Sequence, residues 1–488
     1  MSSVASKSIH GIVWSAVERF SLQGIQFLIG IILARLLSPS DFGMIGMLTI
    51  FLSVSQTFID CGFSNALIRQ KEASVKDYGT AFLINFAISL LAFVILFFAA
   101  PFVASFYKMP GLLPVMRVVS VTLIINALFT VHKVKLTRNV DFKTQSKASF
   151  CSALISGILG IALAYNGFGV WSLVYQTVCN SILNLVLMTA LLKWFPKPVF
   201  SKDSFHTLFG FGSKLLVASI ISSIYSNLYN IVIGKQFSAS SLGYYSRADH
   251  LGNFPSQNVA GILSRVTYPI LSQLQDDAER LRGIYVKYLQ IACFVVFPLM
   301  MGLAALAKPL IVLMLGEKWL PSVLLLQILC FGLMLDPICN INLNLLYVKG
   351  RSDLVLKLEI IKKTIAVAIL VASLPFGLVG LCIGRSCYGV VATLLNMTYT
   401  RRFIDLSMWG QAKLILPSLL LSLFMAAGSF GIILLNLNYG LQLALGIVAG
   451  IVLYIGLAKI FKMNAMEFLL GMVKGKLLKG HTKDSSQN

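Results

Sequence analysis

The sequence predicts an all-α polytopic membrane protein, and three observations carry that prediction. Of its 488 residues, 57% are hydrophobic and only 12% are charged, about half the charged share of a soluble domain. Apolar stretches of about 20 residues, the length that crosses a bilayer core, recur from Gly11 to the last fifth of the chain. Unbroken apolar runs such as Phe82–Val103 exclude the in–out alternation of a barrel, which leaves helices to satisfy the backbone in lipid.

Fourteen transmembrane helices are read from hydropathy, at 11–36, 42–62, 80–104, 112–132, 147–165, 169–192, 208–234, 243–264, 285–307, 320–346, 357–376, 380–400, 413–435 and 439–461. Pro39, Pro110, Pro196, Pro198, Gly377 and Gly380 punctuate them as turn and helix-breaking residues do. Basic residues test the layout. One set of alternate loops holds only Lys108, Lys235, Lys308 and Lys318, whereas the other set and the termini hold 28 Lys and Arg. The positive-inside rule then places both termini in the cytoplasm, and the expected location is the bacterial cytoplasmic (inner) membrane. Much of the net charge of +22 is a solvated face against anionic lipid heads. No nucleic-acid role is expected, because no folded module presents a groove. The first apolar span is long, contains Glu18 and Arg19 and lacks a small-residue cleavage site, so it does not read as a signal peptide. Eight cysteines without a C-x-x-C pair read as reduced packing residues. No metal-ligand spacing is present and no cofactor is expected.

An internal repeat organises the chain. The stretch ending in Ala34–Gly43 returns without a gap 200 residues on, pairing Ile31 with Ile231, Arg35 with Lys235, Ser38 with Ser238, Ser40 with Ser240 and Gly43 with Gly243. Six helices separate the copies, an even number, so both halves insert with the same orientation. The expected organisation is an N-terminal six-helix lobe (1–206), a C-terminal six-helix lobe (207–402), two additional helices (403–461) and a basic tail (462–488). Arg19, Gln23, Gln26 and Gly30 follow a four–three–four spacing that lines one helical face. In the second copy Ser223, Ser226 and Asn230 answer Gln23, Gln26 and Gly30, so two apolar helices each carry a polar stripe. That pattern reads as two halves facing one wet cavity.

Eight basic residues fall within or at the rim of spans: Arg19, Arg35, Arg117, Lys214, Arg247, Lys362, Lys363 and Arg385. Their acidic companions are Glu18, Asp60, Asp249, Asp336 and Glu359. A charge at mid-bilayer costs roughly 2.5–3.5 kcal/mol on insertion scales and so marks protein or water rather than lipid. An excess of basic groups implies an anionic, phosphate-bearing cargo, which Arg holds through a bidentate fork. Tyr225, Tyr229, Tyr244 and Tyr245 offer faces for sugar rings, and Asn227, Asn230, Gln257 and Asn258 offer hydroxyl partners. Each charge also has a structural alternative: snorkelling for Lys214 and Arg117, an ion pair with Asp249 for Arg247, and a helix end for Asp60.

The turn Ala34-Arg35-Leu36-Leu37-Ser38-Pro39 through Phe42-Gly43, followed by Asp60-Cys61-Gly62 and Ala66-Leu67-Ile68, resembles the Wzx-type polysaccharide flippases. These belong to a superfamily that also holds MATE transporters and the lipid II flippase. Leu242-Gly243-Tyr244-Tyr245, Pro255, Arg265, Pro269, Pro298, Gly316 and Trp319 extend the resemblance into the second half. The second turn departs from the first, with Ala239 for Pro39 and Leu242 for Phe42. The resemblance implies two lobes in a V, a cationic central cavity and alternating access. The implied cargo is an undecaprenyl-diphosphate-linked oligosaccharide moved from the cytoplasmic to the periplasmic leaflet, for surface polysaccharide or lipopolysaccharide assembly. It carries over one residue directly, the basic group of the first span, here Arg19. Coupling to Na⁺ or H⁺ is common in the superfamily, with Glu18 and Asp249 as candidates here. The chain is expected to act as a monomer among membrane lipids.

Two other classes compete. A MATE-like cation-coupled exporter of cationic small molecules favours an acidic cavity, against the basic excess above. An enzyme needs convergent acid–base groups on a sizeable loop or domain. The outer loops are a few residues long, and Asp276-Asp277 sits in a mixed-charge run with Glu279, Arg280 and Arg282, so the chain is expected not to be an enzyme.

Overall fold

Several helices in this chain start where a short polar side chain stands ready to receive the first free amides. The computed structural model describes residues 21–471 apart from Lys71, Asn436 and Leu470, and leaves aside the side chains of Lys214 and Val266. The N-terminal half of the first predicted span, with Glu18 and Arg19, and most of the basic tail lie outside the described residues. In chain order the first helices are α1 (Ser21–Leu36), α2 (Pro39–Asp60), α3 (Phe63–Arg69), α4 (Val75–Phe106) and α5 (Leu112–Arg138). α6 (Phe142–Tyr165), α7 (Val170–Leu192), α8 (Lys202–Gln236) and α9 (Ala239–Gln273) follow. The rest are α10 (Ala278–Ala305), α11 (Ala307–Leu315), α12 (Pro321–Leu333), α13 (Asp336–Val348), α14 (Ser352–Ser373), α15 (Gly377–Ile404), α16 (Met408–Ile433) and α17 (Tyr439–Ile460). Among the described residues there is no strand, and eleven helical stretches are long and apolar enough to cross a membrane. One of these stretches, Ser352–Ile404, contains both α14 and α15.

The caps are local and explicit. Ser38 Oγ accepts from the Asp41 amide at 3.3 Å, while Asp41 Oδ2 accepts from the Ser38 amide at 2.8 Å. Ser74 and Asp77 repeat this reciprocal box at α4. Ser201, Asp277, Ser407 and Asn438 cap α8, α10, α16 and α17. Each such cap satisfies amides that a helix start leaves orphaned.

The chain forms two compact units, Met1–Ser246 and Arg247–Asn488. In the first, α4 packs on α5, α6 on α7 and α2 on α8. The repeat register survives in three dimensions: α1 ends at Leu36 and α8 at Gln236, α2 starts at Pro39 and α9 at Ala239. Ser238 stands where Ser38 does and accepts from the Ser241 amide at 3.1 Å. The two turns also meet reciprocally. A Cβ on Gly43 would strike the carbonyl of Ala239, and a Cβ on Gly243 would strike the carbonyl of Pro39. Backbone touches backbone here, so both positions require glycine.

In the second unit α10 packs on α16, α16 on α17, and α12 and α14 on α15. The predicted span 320–346 is broken, with α12 ending at Leu333 and α13 beginning at Asp336. Pro337 is the reason. It has no amide hydrogen to return to the carbonyl four residues back, which belongs to Leu333. Ser256 on α9 answers, its Oγ donating to the Leu333 carbonyl at 2.8 Å. Farther along, a buried network joins α10, α13, α15 and α16. Tyr285 Oη lies 2.8 Å from Asn342 Oδ1 and 3.0 Å from Gln411 Oε1, and Thr400 Oγ1 donates to Asn342 Oδ1 at 2.7 Å. All four side chains are fully buried. The two helices after α15 are therefore fastened to the rest of their unit by α16 through polar as well as apolar contacts.

Candidate functional site

The break between α12 and α13 places a carboxylate, Asp336, on the first turn of α13. An interrupted transmembrane helix with an ionisable group at the interruption is the arrangement that marks ligand and ion sites in transporters. Asp336 lies near two other charged groups of the second unit and interacts electrostatically with Arg385 and Asp249. Arg385 on α15 and Asp249 on α9 form an ion pair with Arg385 Nη2 and Asp249 Oδ1 2.7 Å apart, and both side chains keep about a quarter of their surface exposed. Asn253, one turn along α9, donates to the same Asp249 oxygen at 2.6 Å. Arg247, two residues before Asp249 on α9, is half-buried, and His250 is exposed. An ion pair formed by Asp249 thus reaches across to Arg385 on α15.

A second ion pair lies on α14. Lys362 is buried, and its Nζ sits 2.5 Å from Glu359 Oε1. Lys363 is half-buried. The described charges of the second unit therefore include two basic groups neutralised by carboxylates of the chain itself. Such pairing is the condition under which ions survive in a low-dielectric surrounding.

In the first unit the polar stripe is built differently. Ser223 Oγ donates to Ser53 Oγ at 3.1 Å, and Asn227 Nδ2 donates to the same Ser53 oxygen at 3.1 Å. This joins α8 to α2 by a hydroxyl–amide cluster. Ser226 donates to the Ser222 carbonyl and is exposed, and Asn230 is half-buried. On α1, Gln26 is exposed while Gln23 is half-buried with its Oε1 lacking a hydrogen-bond partner. Arg117 is held by α4: its guanidinium stacks over the Phe97 ring, 4.3 Å from the centroid, and its Nε donates to the Phe97 carbonyl at 3.4 Å. Of the aromatic candidates, Tyr229 and Tyr245 stack on each other with centroids 6.0 Å apart. Lys214 lies on α8, and Glu18 and Arg19 fall outside the described residues. Asp60 ends α2, accepts from Ser64 and precedes the left-handed pair Cys61 and Gly62, so it is a helix-end residue.

The structure thus brings Asp249, Asp336 and Arg385 together and joins Ser223 and Asn227 to Ser53, while Arg117 and Lys362 are engaged by groups of their own unit. Sequence reasoning passed over Asn253 and Ser53. The available signal was a polar residue at helical spacing from a charge already singled out.

Comparison with known proteins gives the lineage. The chain is 24% identical over 436 residues to the lipopolysaccharide biosynthesis protein WzxC of Escherichia coli (strain K12), covering 86% of this chain and 88% of that protein. It is 25% identical to the teichuronic acid biosynthesis protein TuaB of Bacillus subtilis (strain 168), covering 72% and 74%. It is 26% identical to the succinoglycan biosynthesis transport protein ExoT of Rhizobium meliloti (strain 1021), covering 63% and 62%. Among solved structures, the lipid II flippase MurJ in an inward closed conformation superposes with a TM-score of 0.73 at 17% identity, covering 93% of this chain and all of that one. An inward-facing multidrug resistance MATE family transporter gives 0.62 at 17% identity, covering 81% and 98%. At these identities the solved structures establish the fold, a MurJ- and MATE-like helical membrane fold. The model of the polysaccharide biosynthesis protein family matches residues 32–324, more than half of the sequence, and the chain belongs to that family.

Proposed function

We propose that this protein is a flippase that moves a polyprenyl-diphosphate-linked oligosaccharide repeat unit from the cytoplasmic to the outer leaflet for surface polysaccharide assembly. The observation that carries the reading is the coincidence of two likenesses. Relatives named for lipopolysaccharide, teichuronic acid and succinoglycan biosynthesis match most of the chain, and the fold is that of a lipid II flippase over all of its length. An undecaprenyl carrier, fourteen crossings, two six-helix lobes at 1–206 and 207–402, and cytoplasmic termini complete the proposal.

In this reading the glycan and diphosphate enter a cationic cavity while the prenyl tail stays in lipid, and the lobes alternate their access. The charge for a diphosphate comes chiefly from Arg19 and Lys214, with Arg247 and Lys363 as further basic groups, while Arg385 contributes only when its pair with Asp249 opens. Gln23, Gln26, Ser226 and Asn230 offer hydroxyl contacts. Arg117 and Lys362 hold helices, since each already has a partner in its own unit. Asp249 and Asp336, flanking Arg385 at a helix break, are the groups whose ionic state a coupling Na⁺ or H⁺ changes, with Glu18 as a further candidate.

The test is genetic and chemical. Deletion of the gene should remove surface glycan and accumulate the lipid-linked intermediate inside the cell. Arg19→Ala should reproduce the defect with normal amounts of protein in the membrane. Normal glycan output from a well-expressed Arg19→Ala strain refutes the role given to that residue. An unchanged lipid-linked pool in the deletion strain refutes the function.

A further inference from the structure

We propose that the second unit binds an anionic glycerophospholipid of the bilayer in a groove between α10, α16 and the end of α17. The groove has a volume of about 760 Å³. Its mouth carries Lys413 on α16 and Lys462 just beyond α17, and its walls are apolar, with Leu421, Phe424, Leu457 and Phe461 among them. Among the described residues no carboxylate lines it. Both lysines are exposed, and neither takes part in an ion pair among the described residues. Two cations from separate elements therefore line one groove, and among the described residues no carboxylate lines it with them.

Depth and length match one acyl chain. Trp409, 70% exposed, lies one turn before Lys413, at the level where tryptophans mark the headgroup region. From Lys413 the lining runs through Pro417, Leu420, Leu421 and Phe424, steps of four, three, one and three that keep one helical face. The eleven steps from Lys413 to Phe424 rise about 16 Å at 1.5 Å each, close to half of the ~30 Å hydrocarbon core. Leu420 and Phe424 are 45% and 68% exposed on that face, as a surface met by a lipid chain should be. Pro417 adds an acceptor at the rim, because its missing amide leaves the Lys413 carbonyl without an intrahelical partner, free to take a glycerol hydroxyl.

The neighbouring groove shows what selects the ligand. It is about 720 Å³ and is lined by Arg282 and Lys287 together with Glu279 and Glu467. Its charges balance, so it offers an anion no net attraction. The Lys413–Lys462 groove instead combines positive charge with an apolar trough, the pairing that holds acidic headgroups between transmembrane helices. The leaflet follows from the orientation proposed above, but the binding itself does not depend on the transport reading.

The test uses the full-length protein, delipidated in detergent and titrated with phosphatidylglycerol or phosphatidylcholine. Bound lipid is counted by native mass spectrometry, and stabilisation is read from thermal unfolding. The wild type should retain one phosphatidylglycerol with a preference of roughly tenfold or more, the scale of two basic side chains at a membrane surface. Lys413→Gln with Lys462→Gln should abolish the preference, and Lys413→Arg with Lys462→Arg should keep it. Leu457→Trp, which fills the trough and leaves both lysines in place, should remove the bound lipid. The arginine variant and the unliganded melting temperature separate loss of binding from loss of fold. Equal retention of both lipids by the wild type, or a preference that survives the glutamine pair, overturns the proposal. Equivalent stabilisation by inorganic phosphate overturns it as a lipid site. Preferential capture of undecaprenyl diphosphate overturns the assignment to bilayer phospholipid.

Discussion

Removing the Tyr285 hydroxyl should destabilise the protein, and the loss should depend on what Gln411 is. Tyr285, Asn342, Thr400 and Gln411 are all fully buried. In Tyr285→Phe, Asn342 Oδ1 keeps the 2.7 Å bond from Thr400. Gln411 Oε1 loses the donor that lay 3.0 Å away, while its amide still points at the Met397 and Leu406 carbonyls, 3.4 and 3.3 Å off. One buried acceptor is therefore orphaned, a cost of about 1–3 kcal/mol. In Gln411→Leu the tyrosine still has Asn342 to donate to, at 2.8 Å. Adding Tyr285→Phe to that background orphans nothing, so its increment should shrink by about 1 kcal/mol or more, a coupling within the range seen for contacting residues. Equilibrium unfolding of the purified protein for the wild type, both single variants and the double variant gives the four numbers. Additive losses, or a neutral Tyr285→Phe, refute the network as the clasp between α10 and α16.

Three further perturbations follow from the geometry. Gly43→Ala drives a Cβ into the Ala239 carbonyl and should cost about 1–3 kcal/mol of stability as overpacking does. Gly24→Ala in α1, with nothing within 4 Å of the new methyl, should be neutral or stabilising by up to about 1 kcal/mol, and thermal melts compare the two. Ser256→Ala strips the Leu333 carbonyl of its donor at a cost of about 1–3 kcal/mol. Pro337→Ala, which returns an amide to that position, should recover part of it, and melting of the double variant checks this. Arg385→Leu leaves Asp249 with Asn253 alone. With a quarter of each side chain exposed, the cost falls below the buried-pair range to about 1–3 kcal/mol, and Arg385→Leu with Asp249→Asn should melt higher than Arg385→Leu alone.

What was legible in the sequence is what local chemistry determines. Hydropathy located most of the apolar helices, although α9, read as a span at 243–264, is not among the eleven stretches apolar enough to cross. Ser38, Pro39, Ser238 and the paired glycines located both copies of the turn, because caps and tight approaches need particular residues at particular positions. The helix break at 334–335 was missed although Pro337 signalled it, since the flanking residues are apolar enough to read as one span. The partner of Asp249 was out of reach for another reason. Arg385 lies 136 positions away by sequence number, and nothing in the spacing of either helix specifies which neighbour it packs against. The Tyr285 network, closing over separations of 57 and 126 residues, was invisible on the same grounds. Isolated polar residues in apolar helices announce that a partner exists without saying where.

The repeat that organises the scaffold keeps one basic position, Arg35 and Lys235, but not the other charges on either side of the turn. Arg247, Asp249 and Asn253 on α9 correspond across the 200-residue offset to Met47, Thr49 and Ser53 on α2. Conversely, Glu18 and Arg19 correspond to Ala218 and Ser219. The first copy thus carries its ionisable pair before the shared turn, and the second carries its own after it. Backbone geometry is kept, as the matching helix ends at Leu36 and Gln236 and the reciprocal Gly43 and Gly243 contacts demonstrate. Ser53 is tied by neutral hydrogen bonds to Ser223 and Asn227, whereas Asn253 supports a carboxylate already paired with an arginine. A neutral cluster responds little to pH or ions, while a coupled set of two carboxylates and a guanidinium changes its net charge whenever one carboxylate is protonated or binds a cation. The two turns therefore share a local geometry, while among the described residues the coupled charges Asp249, Asp336 and Arg385 gather at the broken helix of the second unit.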